Sequence, residues 1–194
     1  MNIECDFVWP ESDNLDQYKA IFVPALYAAP DELLEKLKQY IANGGTLVAT
    51  FKTAFVNENV KVSHEMQPHI LSNCFGISYQ QFTFLKNIGL SGSIINGTAI
   101  YIGCMTDNNT LKAVLTEALN SAEVEIPEYS WPVIVRKGTN DLCKCVRYIL
   151  NYSAEEQNVV YHGADGTELF SEESVQDGET VTVLPWNVKI IEEV

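Results

Sequence analysis

The first fifty residues alternate between short apolar runs and one helical stripe. The apolar run at residues 21–23 predicts a buried strand, and a weaker run over residues 3–8 predicts a strand before it. Pro30 and two acidic residues then favour the start of a helix. Five apolar residues recur in that helix at a spacing of three or four: Leu33, Leu34, Leu37, Tyr40 and Ile41. Two glycines at 44–45 favour its end, and residues 46–51 are again apolar and β-rich, so this order predicts a βαβ unit with parallel strands.

The pattern continues less regularly to about residue 122. The predicted elements are a loop (52–64), a short helix that Gly76 ends (68–75), a strand with one polar face (77–85), a Gly-, Ser- and Asn-rich loop (85–97), an apolar strand (98–103) and an amphipathic helix (109–119). Strands that alternate with helices are typical of a layered α/β domain, which we expect over residues 1–125.

Helical periodicity ends near Pro127. Short β-rich runs follow, separated by turns that contain Gly, Asn or Asp: residues 133–135, 143–152, 158–161, 168–170, 180–184 and 188–191. This pattern predicts a small antiparallel, β-sandwich-like domain over residues 126–194.

Charge and composition exclude several classes of partner. Twelve basic and 26 acidic residues give a formal net charge of −14, which disfavours binding to nucleic acid or to an anionic membrane surface. The sequence shows neither a signal peptide nor an apolar stretch long enough to span a membrane. Its five scattered cysteines are typical of a reducing compartment, so we expect a cytoplasmic protein. Nothing in the sequence indicates a cofactor.

Cys104 is the residue with the clearest potential for chemistry. It follows a predicted strand and precedes a predicted helix, a position that exposes a nucleophile and lowers its pKa. A base would have to come from His64, His69 or His162, and none of these has diagnostic spacing. We therefore expect a thiol packed at a strand end and keep a small Cys-dependent, amidotransferase-like hydrolase as an alternative.

Histidine and tryptophan positions allow two further hypotheses. His64 and His69 do not match the spacing of a helical metal site, so we expect no metal. The three tryptophans each lie beside a proline: Trp9, Trp131 and Trp186. We expect them to be buried because tryptophan adds much apolar area to a small core. If Trp131 or Trp186 were exposed, it would instead favour a sugar-binding module.

Three segments carry a resemblance to a known family. Tyr18-Lys19 followed by Pro24 matches a Tyr-Lys-x-x-x-x-Pro strand, and residues 40–48 match Tyr-Val-x-x-Gly-Gly-Thr-Leu-Val with Ile at the second position. Residues 54–59 are similar to a Gly-x-Val-Asp-Glu-x loop, with Ala for Gly and Asn for Asp. These patterns resemble the middle domain of glycoside hydrolase family 42 β-galactosidases. Weaker similarity to that domain and to the small C-terminal β domain extends over the rest of the chain.

The resemblance implies a fold, a role and a set of contact residues. It implies a flavodoxin-like parallel sheet with helices, related to class I glutamine amidotransferase domains without their chemistry. In the family this domain holds three subunits together, its loops help to wall a neighbouring active site, and a barrel that precedes it carries the catalytic glutamates. This chain has no barrel, so we expect a portion of a longer enzyme, a degenerate gene product or a stand-alone module.

By this resemblance the chain is a non-catalytic oligomerisation portion of a β-galactosidase-like enzyme, whose parent reaction is hydrolysis of terminal β-D-galactosides. The expected partner is two further copies of the chain, and contact with a galactoside is expected only alongside a barrel. Four residues in one loop are the candidates for contact with a subunit or sugar: Phe51, Phe55, Asn57 and Glu58.

Overall fold

The computed structural model describes residues 1–62, 66–79, 89–94 (backbone) and 97–194. Contacts divide the chain into two compact units, Asp6–Glu125 on the one hand and Met1–Cys5 with Ile126–Val194 on the other. We call them the α/β unit and the β unit. That residues 1–125 and 126–194 are two separate domains stays a prediction.

The predicted βαβ unit is present at the start of the α/β unit. Strand β1 (Ala20–Val23), helix α1 (Asp31–Ala42) and strand β2 (Thr46–Thr50) follow in order. β1 and β2 are parallel, with Ala20 opposite Thr46. The helical stripe is buried as expected, since Leu34, Leu37, Tyr40 and Ile41 are all inside the core.

The two glycines after α1 have different functions. Gly44 has a φ of 105°, which an L side chain rarely adopts, so it ends the helix as predicted. Gly45 is needed for space, because a Cβ there would overlap the ring of Tyr40. That ring cannot easily move, since it is buried and its hydroxyl donates a hydrogen bond to the Tyr18 carbonyl at 2.9 Å.

The α/β unit contains five further described elements: a 3₁₀ turn (His69–Leu71), α2 (Ser72–Phe75), β3 (Gly89–Ile94), β4 (Gly97–Ile102) and α3 (Asn108–Ser121). The described strands form one sheet in the order β1-β2-β4-β3, parallel except for β3. Gly76, with a φ of 64°, ends α2 as predicted.

Both faces of this sheet are covered by helices. Leu47 and Ala49 of β2 belong to the cluster that contains the buried side of α1. Val48, which points the other way, packs with Ala118 of α3. This alternation explains why β2 is a continuous apolar run, as a strand buried on both faces should be.

Two predicted elements of the α/β unit are wrong. The Gly- and Ser-rich segment predicted as a loop contains β3, which pairs antiparallel with β4 from Gly89 opposite Ile102 to Ile94 opposite Gly97. Strand pairing uses backbone groups, so a composition that favours turns did not prevent it. Residues 3–8 do not form a strand, and the boundary between the two units falls within this segment, after Cys5.

The predicted strand over residues 77–85 is described only as far as Tyr79, which forms a single bridge with Gln67. Residues 80–85 and His64 lie outside the described residues.

The β unit is antiparallel, as predicted. Its strands are β5 (Val133–Thr139), β6 (Cys145–Asn151), β7 (Gln157–Val160), β8 (Gly166–Glu168), β9 (Ser174–Val175), β10 (Thr180–Val183) and β11 (Val188–Glu193). Five strands form a sheet in the order β5-β6-β11-β8-β9, and β7 pairs with β10. Residues of both sheets share one core, among them Ile149, Tyr161, Val183 and Ile191. β9 was not predicted, because two residues give no periodic pattern.

The expectation that the tryptophans are buried is wrong. Trp9, Trp131 and Trp186 are 72%, 68% and 69% exposed. All three lie outside the regular strands, where their side chains do not face a sheet core. Among the helices within the described ranges, none is long and apolar enough to cross a membrane.

Candidate subunit-contact site

The carboxyl ends of β1, β2 and β4 lie at one edge of the parallel sheet. The segments that leave this edge are residues 24–29, 51–62 and 103–107. Ligands and partners of open α/β sheets bind at this edge, because the loops there are free to vary while the strands are fixed. The four predicted contact residues follow β2 in the second segment, and Cys104 follows β4 in the third.

Backbone hydrogen bonds join the first two segments into one surface, which we call the edge surface (residues 24–29 and 51–62). The amide of Ala25 donates to Thr50 Oγ1 at 2.7 Å. The amide of Ala54 donates to the Leu26 carbonyl at 2.8 Å, and that of Phe55 donates to the Tyr27 carbonyl at 3.0 Å. The loop after β2 is thus held on the loop after β1.

Phe55 stacks on Tyr27 within the edge surface. Their ring centroids are 5.4 Å apart and the rings are inclined by 23°. Phe55 is half-buried, whereas Tyr27 is 42% exposed. The sequence predicted Phe55 as a contact residue but not Tyr27, which lies outside the matched loop of residues 54–59. The signal that could have found it is the pairing of the two loops, which depends on the fold.

Asn57 and Glu58 have different positions in the loop. Asn57 Oδ1 accepts hydrogen bonds from the amides of Asn59 and Lys61, both at 3.0 Å, so this side chain closes the turn. Glu58 is exposed and accepts a hydrogen bond from Asn59 Nδ2 at 2.8 Å. Glu58 is therefore available at the surface, while Asn57 acts through the shape of the loop.

Two exposed valines extend the edge surface beyond the predicted residues. Val60 is 69% exposed and Val62 is 61% exposed. Phe51, at the start of the loop, is half-buried. Together with Tyr27 these side chains give the edge surface an apolar character.

The backbone of the edge surface is strained. Ala25, Lys52, Ala54 and Val60 have φ values of 49°, 63°, 56° and 59°. A left-handed conformation costs an ordinary residue about 1–2 kcal/mol, and such residues persist where their surroundings hold them and often where they serve function. Here the backbone hydrogen bonds between the two loops hold them.

A pair of tyrosines lies near the base of the loop. The hydroxyls of Tyr79 and Tyr101 are 2.8 Å apart. Burial raises the pKa of Tyr101, its bond to Tyr79 raises that pKa further, and a hydrogen bond with the backbone of Lys52 opposes the shift. Both phenols stay neutral, and they connect the loop to the core through Lys52.

Cys104 lies two residues beyond β4 and is 8% exposed. Two of the candidate bases lie near carboxylates. His69 Nε2 is 3.0 Å from Asp31 Oδ1. The ring nitrogens of His162, in the β unit, are 3.6 Å from Glu128 Oε2 and 3.7 Å from Asp177 Oδ1. A reactive cysteine needs access and a low pKa. Burial of Cys104 gives that alternative no support, and it stays a prediction.

No cluster of three or more His, Cys, Asp or Glu side chains that could hold a metal ion occurs within residues 1–62, 66–79 and 97–194.

Comparison with known protein families shows that residues 1–88 match the family model of the β-galactosidase trimerisation domain. The β-galactosidase BgaB of Geobacillus sp. (strain Y412MC61) is 41% identical over 81 residues, which cover 42% of this chain and 12% of that protein. The β-galactosidase LacZ of Heyndrickxia coagulans is 25% identical over 98% of this chain and 34% of its own length. The chain therefore spans about a third or less of these relatives.

The whole chain is similar in fold to part of a solved structure. The β-galactosidase from Bacillus circulans sp. alkalophilus superposes with a TM-score of 0.86 and 20% identity, over 100% of this chain and 35% of that chain. The resemblance predicted from the sequence is therefore confirmed: residues 1–88 match the trimerisation domain of β-galactosidases, and the chain corresponds to only a portion of such an enzyme.

Proposed function

We propose that this chain is a non-catalytic assembly module, which joins three copies of a β-galactosidase-like subunit through the edge surface. The observation that carries the proposal is the match of residues 1–88 to a trimerisation domain, because these residues contain the whole edge surface. Phe51, Phe55 and Glu58 would contact a neighbouring subunit, and Asn57 would hold the loop in shape.

The edge surface has the properties of a protein contact. Tyr27, Val60 and Val62 are exposed apolar side chains on loops that are held by backbone hydrogen bonds. Apolar side chains that are left in water by the monomer are stabilised when a partner covers them. Loops that are already ordered also lose little entropy on association.

Three finer points belong to this proposal. Residues 1–125 form a flavodoxin-like domain, which the α/β unit supports through three parallel strands with α1 and α3 on opposite faces. Residues 126–194 form the small C-terminal domain of the same assembly. The chain acts in the cytoplasm, which the scattered placement of its five cysteines in the sequence supports.

Light scattering after size-exclusion chromatography tests the assembly. At high-micromolar concentration we expect three times the 21.7 kDa mass of one chain. Val60→Asp should give monomers, because a carboxylate would have to be desolvated in the contact. Aspartate tolerates the positive φ at this position better than valine does, so the variant should fold.

Val194→Asp is the matched control, since Val194 is 98% exposed and lies in the β unit. It should leave the trimer intact. A monomeric chain, or a trimer that Val60→Asp does not weaken, would contradict the proposal.

An assay with a chromogenic β-galactoside tests the non-catalytic part. We expect no turnover by this chain. Turnover that a change in one of its own carboxylates, such as Glu58→Gln, abolishes would show that the chain is an enzyme.

A further inference from the structure

Four neighbouring strands of the β unit have an exposed aromatic residue at the same end of the five-stranded sheet. Trp131 precedes β5, Tyr152 follows β6, Trp186 precedes β11 and Phe170 follows β8. These strands are adjacent, in the order β5-β6-β11-β8, and each pair is antiparallel. The four residues therefore lie at the same end of the sheet, in the order of their strands, and we call them the aromatic row.

The aromatic row is open to solvent. Trp131, Trp186 and Phe170 are 68%, 69% and 70% exposed, and Tyr152 is 44% exposed. Large aromatic side chains are usually mostly buried, and an exposed group of them marks a surface that contacts something else. The β unit has an apolar core that does not use these rings.

Local contacts hold the row in place. The ring of Trp131 stacks on that of Tyr152, with centroids 5.8 Å apart and an inclination of 25°. The amide of Tyr152 donates to the Pro132 carbonyl at 3.0 Å, and that of Trp186 donates to the Ser153 carbonyl at 3.1 Å. Trp186 has a φ of 53°, a strained conformation of the kind that occurs at binding sites. The stacked pair and the backbone at Trp186 are thus held in position before any ligand arrives.

A groove of about 320 Å³ lies between Phe170 and residues that precede and follow Trp186 in the chain. Its lining consists of Phe170, Val183, Leu184, Asn187, Val188 and Lys189. This volume is at the lower end of the range for small-molecule sites, about 300–1,000 Å³. The groove combines apolar walls with two polar side chains, the amide of Asn187 and the ammonium of Lys189.

We propose that the aromatic row and this groove bind a neutral oligosaccharide. The rings would stack on the C–H faces of successive hexose units, and Asn187 and Lys189 would form hydrogen bonds with the hydroxyls of one unit. Neighbouring strands are about 4.8 Å apart, so four of them span roughly 14 Å, enough for a short chain of sugars.

Charge favours a neutral sugar over other ligands that stack on aromatic rings. Nucleic acid bases do so, but the net charge of −14 opposes a polyanion. The ammonium of Lys189 is 3.2 Å from Glu168 Oε2, so its charge is already compensated and does not call for an anionic ligand.

Tryptophan fluorescence tests the proposal with two probes, β-1,4-galactotriose and cellotriose. The choice of a galactoside rests on the proposed function, whereas cellotriose is independent of it. Either sugar should change the emission in a saturable way that salt does not abolish. Trp186→Ala and Phe170→Ala should weaken binding by about fivefold to tenfold, as expected for the loss of one ring contact.

Trp9→Ala is the matched control, because Trp9 is equally exposed but lies in the α/β unit. It should leave the affinity unchanged. All three side chains are exposed, so the variants should fold, which circular dichroism would verify. No saturable response to either sugar, or an equal loss in Trp9→Ala, would overturn the proposal. Light scattering on the same samples reports assembly separately, so failure of sugar binding and failure of trimerisation are distinguishable.

Discussion

Arg147 and Glu193 form a buried ion pair that connects β6 to β11. Arg147 Nη2 and Nε lie 2.7 and 2.8 Å from Glu193 Oε1, and the two side chains are only 6% and 10% exposed. The hydroxyl of Tyr161 is 2.9 Å from the same oxygen, and its ring lies under the guanidinium. The buried guanidinium and carboxylate are therefore stabilised by each other and by the phenol of Tyr161.

Removal of one partner of this pair should destabilise the β unit strongly. In Arg147→Leu the carboxylate of Glu193 would stay buried without its cation, which costs about 3–5 kcal/mol in the free energy of unfolding. Urea denaturation monitored by circular dichroism measures this. The double variant Arg147→Leu with Glu193→Leu should regain most of the loss, because no buried charge remains. A double variant as unstable as the single one would contradict this account.

Acid should lower the free energy of unfolding, because it protonates Glu168. Burial raises the pKa of this carboxyl, but hydrogen bonds from the backbone and side chain of Ser171 and the backbone of Ile190 outweigh it and lower the pKa to about 2. A lowered pKa means that the stabilisation is complete above pH 4.5 and is lost as the pH falls to about 2. From this shift we expect the ionised Glu168 to contribute about 3 kcal/mol to the free energy of unfolding at neutral pH.

The measurement is the difference in unfolding free energy between the natural chain and Glu168→Gln as a function of pH. It should shrink from pH 5 to pH 2. Glu172→Gln, at an exposed position, should show little difference at any pH. A difference between the natural chain and Glu168→Gln that does not depend on pH would count against the assigned role of Glu168.

Gly45→Ala should destabilise the α/β unit, because the new methyl group would overlap the fixed ring of Tyr40. We expect a loss of about 1–3 kcal/mol, as for an overpacked core. Gly138→Ala is the control, since its Cβ would meet Tyr148 at an ordinary contact distance of 3.6 Å. The midpoints of thermal unfolding of the two variants are compared. Equal midpoints would show that the Tyr40 ring moves aside more easily than its hydrogen bond suggests.

Thiol labelling should separate the five cysteines by exposure. Cys5 and Cys143 are exposed and should react with iodoacetamide first, while Cys74 and Cys104 are buried and should react slowly. Burial also raises the pKa of Cys74, which lowers its thiolate fraction further. Peptide mapping by mass spectrometry gives the rates. Labelling of Cys104 ahead of Cys5 would instead favour the nucleophile alternative.

The elements that the sequence predicted well are those whose signal is local. The stripe of α1 and the apolar run of β2 each contain their own periodicity, so Leu37 and Val48 were assigned to a core without knowledge of the fold. β3 was missed because its pairing with β4 depends on backbone groups, which composition does not report.

The candidate site was less predictable for a related reason. Phe55, Asn57 and Glu58 came from the resemblance of one loop, but the contact of Phe55 with Tyr27 arises where two loops distant in sequence meet. The exposure of Trp131 and Trp186 likewise depends on where the strands end. Hydrophobicity alone predicted that they were buried.

The central position of β11 has a consequence for biosynthesis. This strand is the last in the chain, yet it lies between β6 and β8 and completes the ladder of the five-stranded sheet. On the ribosome, the segments before it can collapse but cannot close that sheet until Val188–Glu193 has left the exit tunnel. The sheet of the α/β unit has a late central strand of its own, β4, but β4 ends at Ile102. We therefore expect the two units to acquire their native structure in the order in which they are translated.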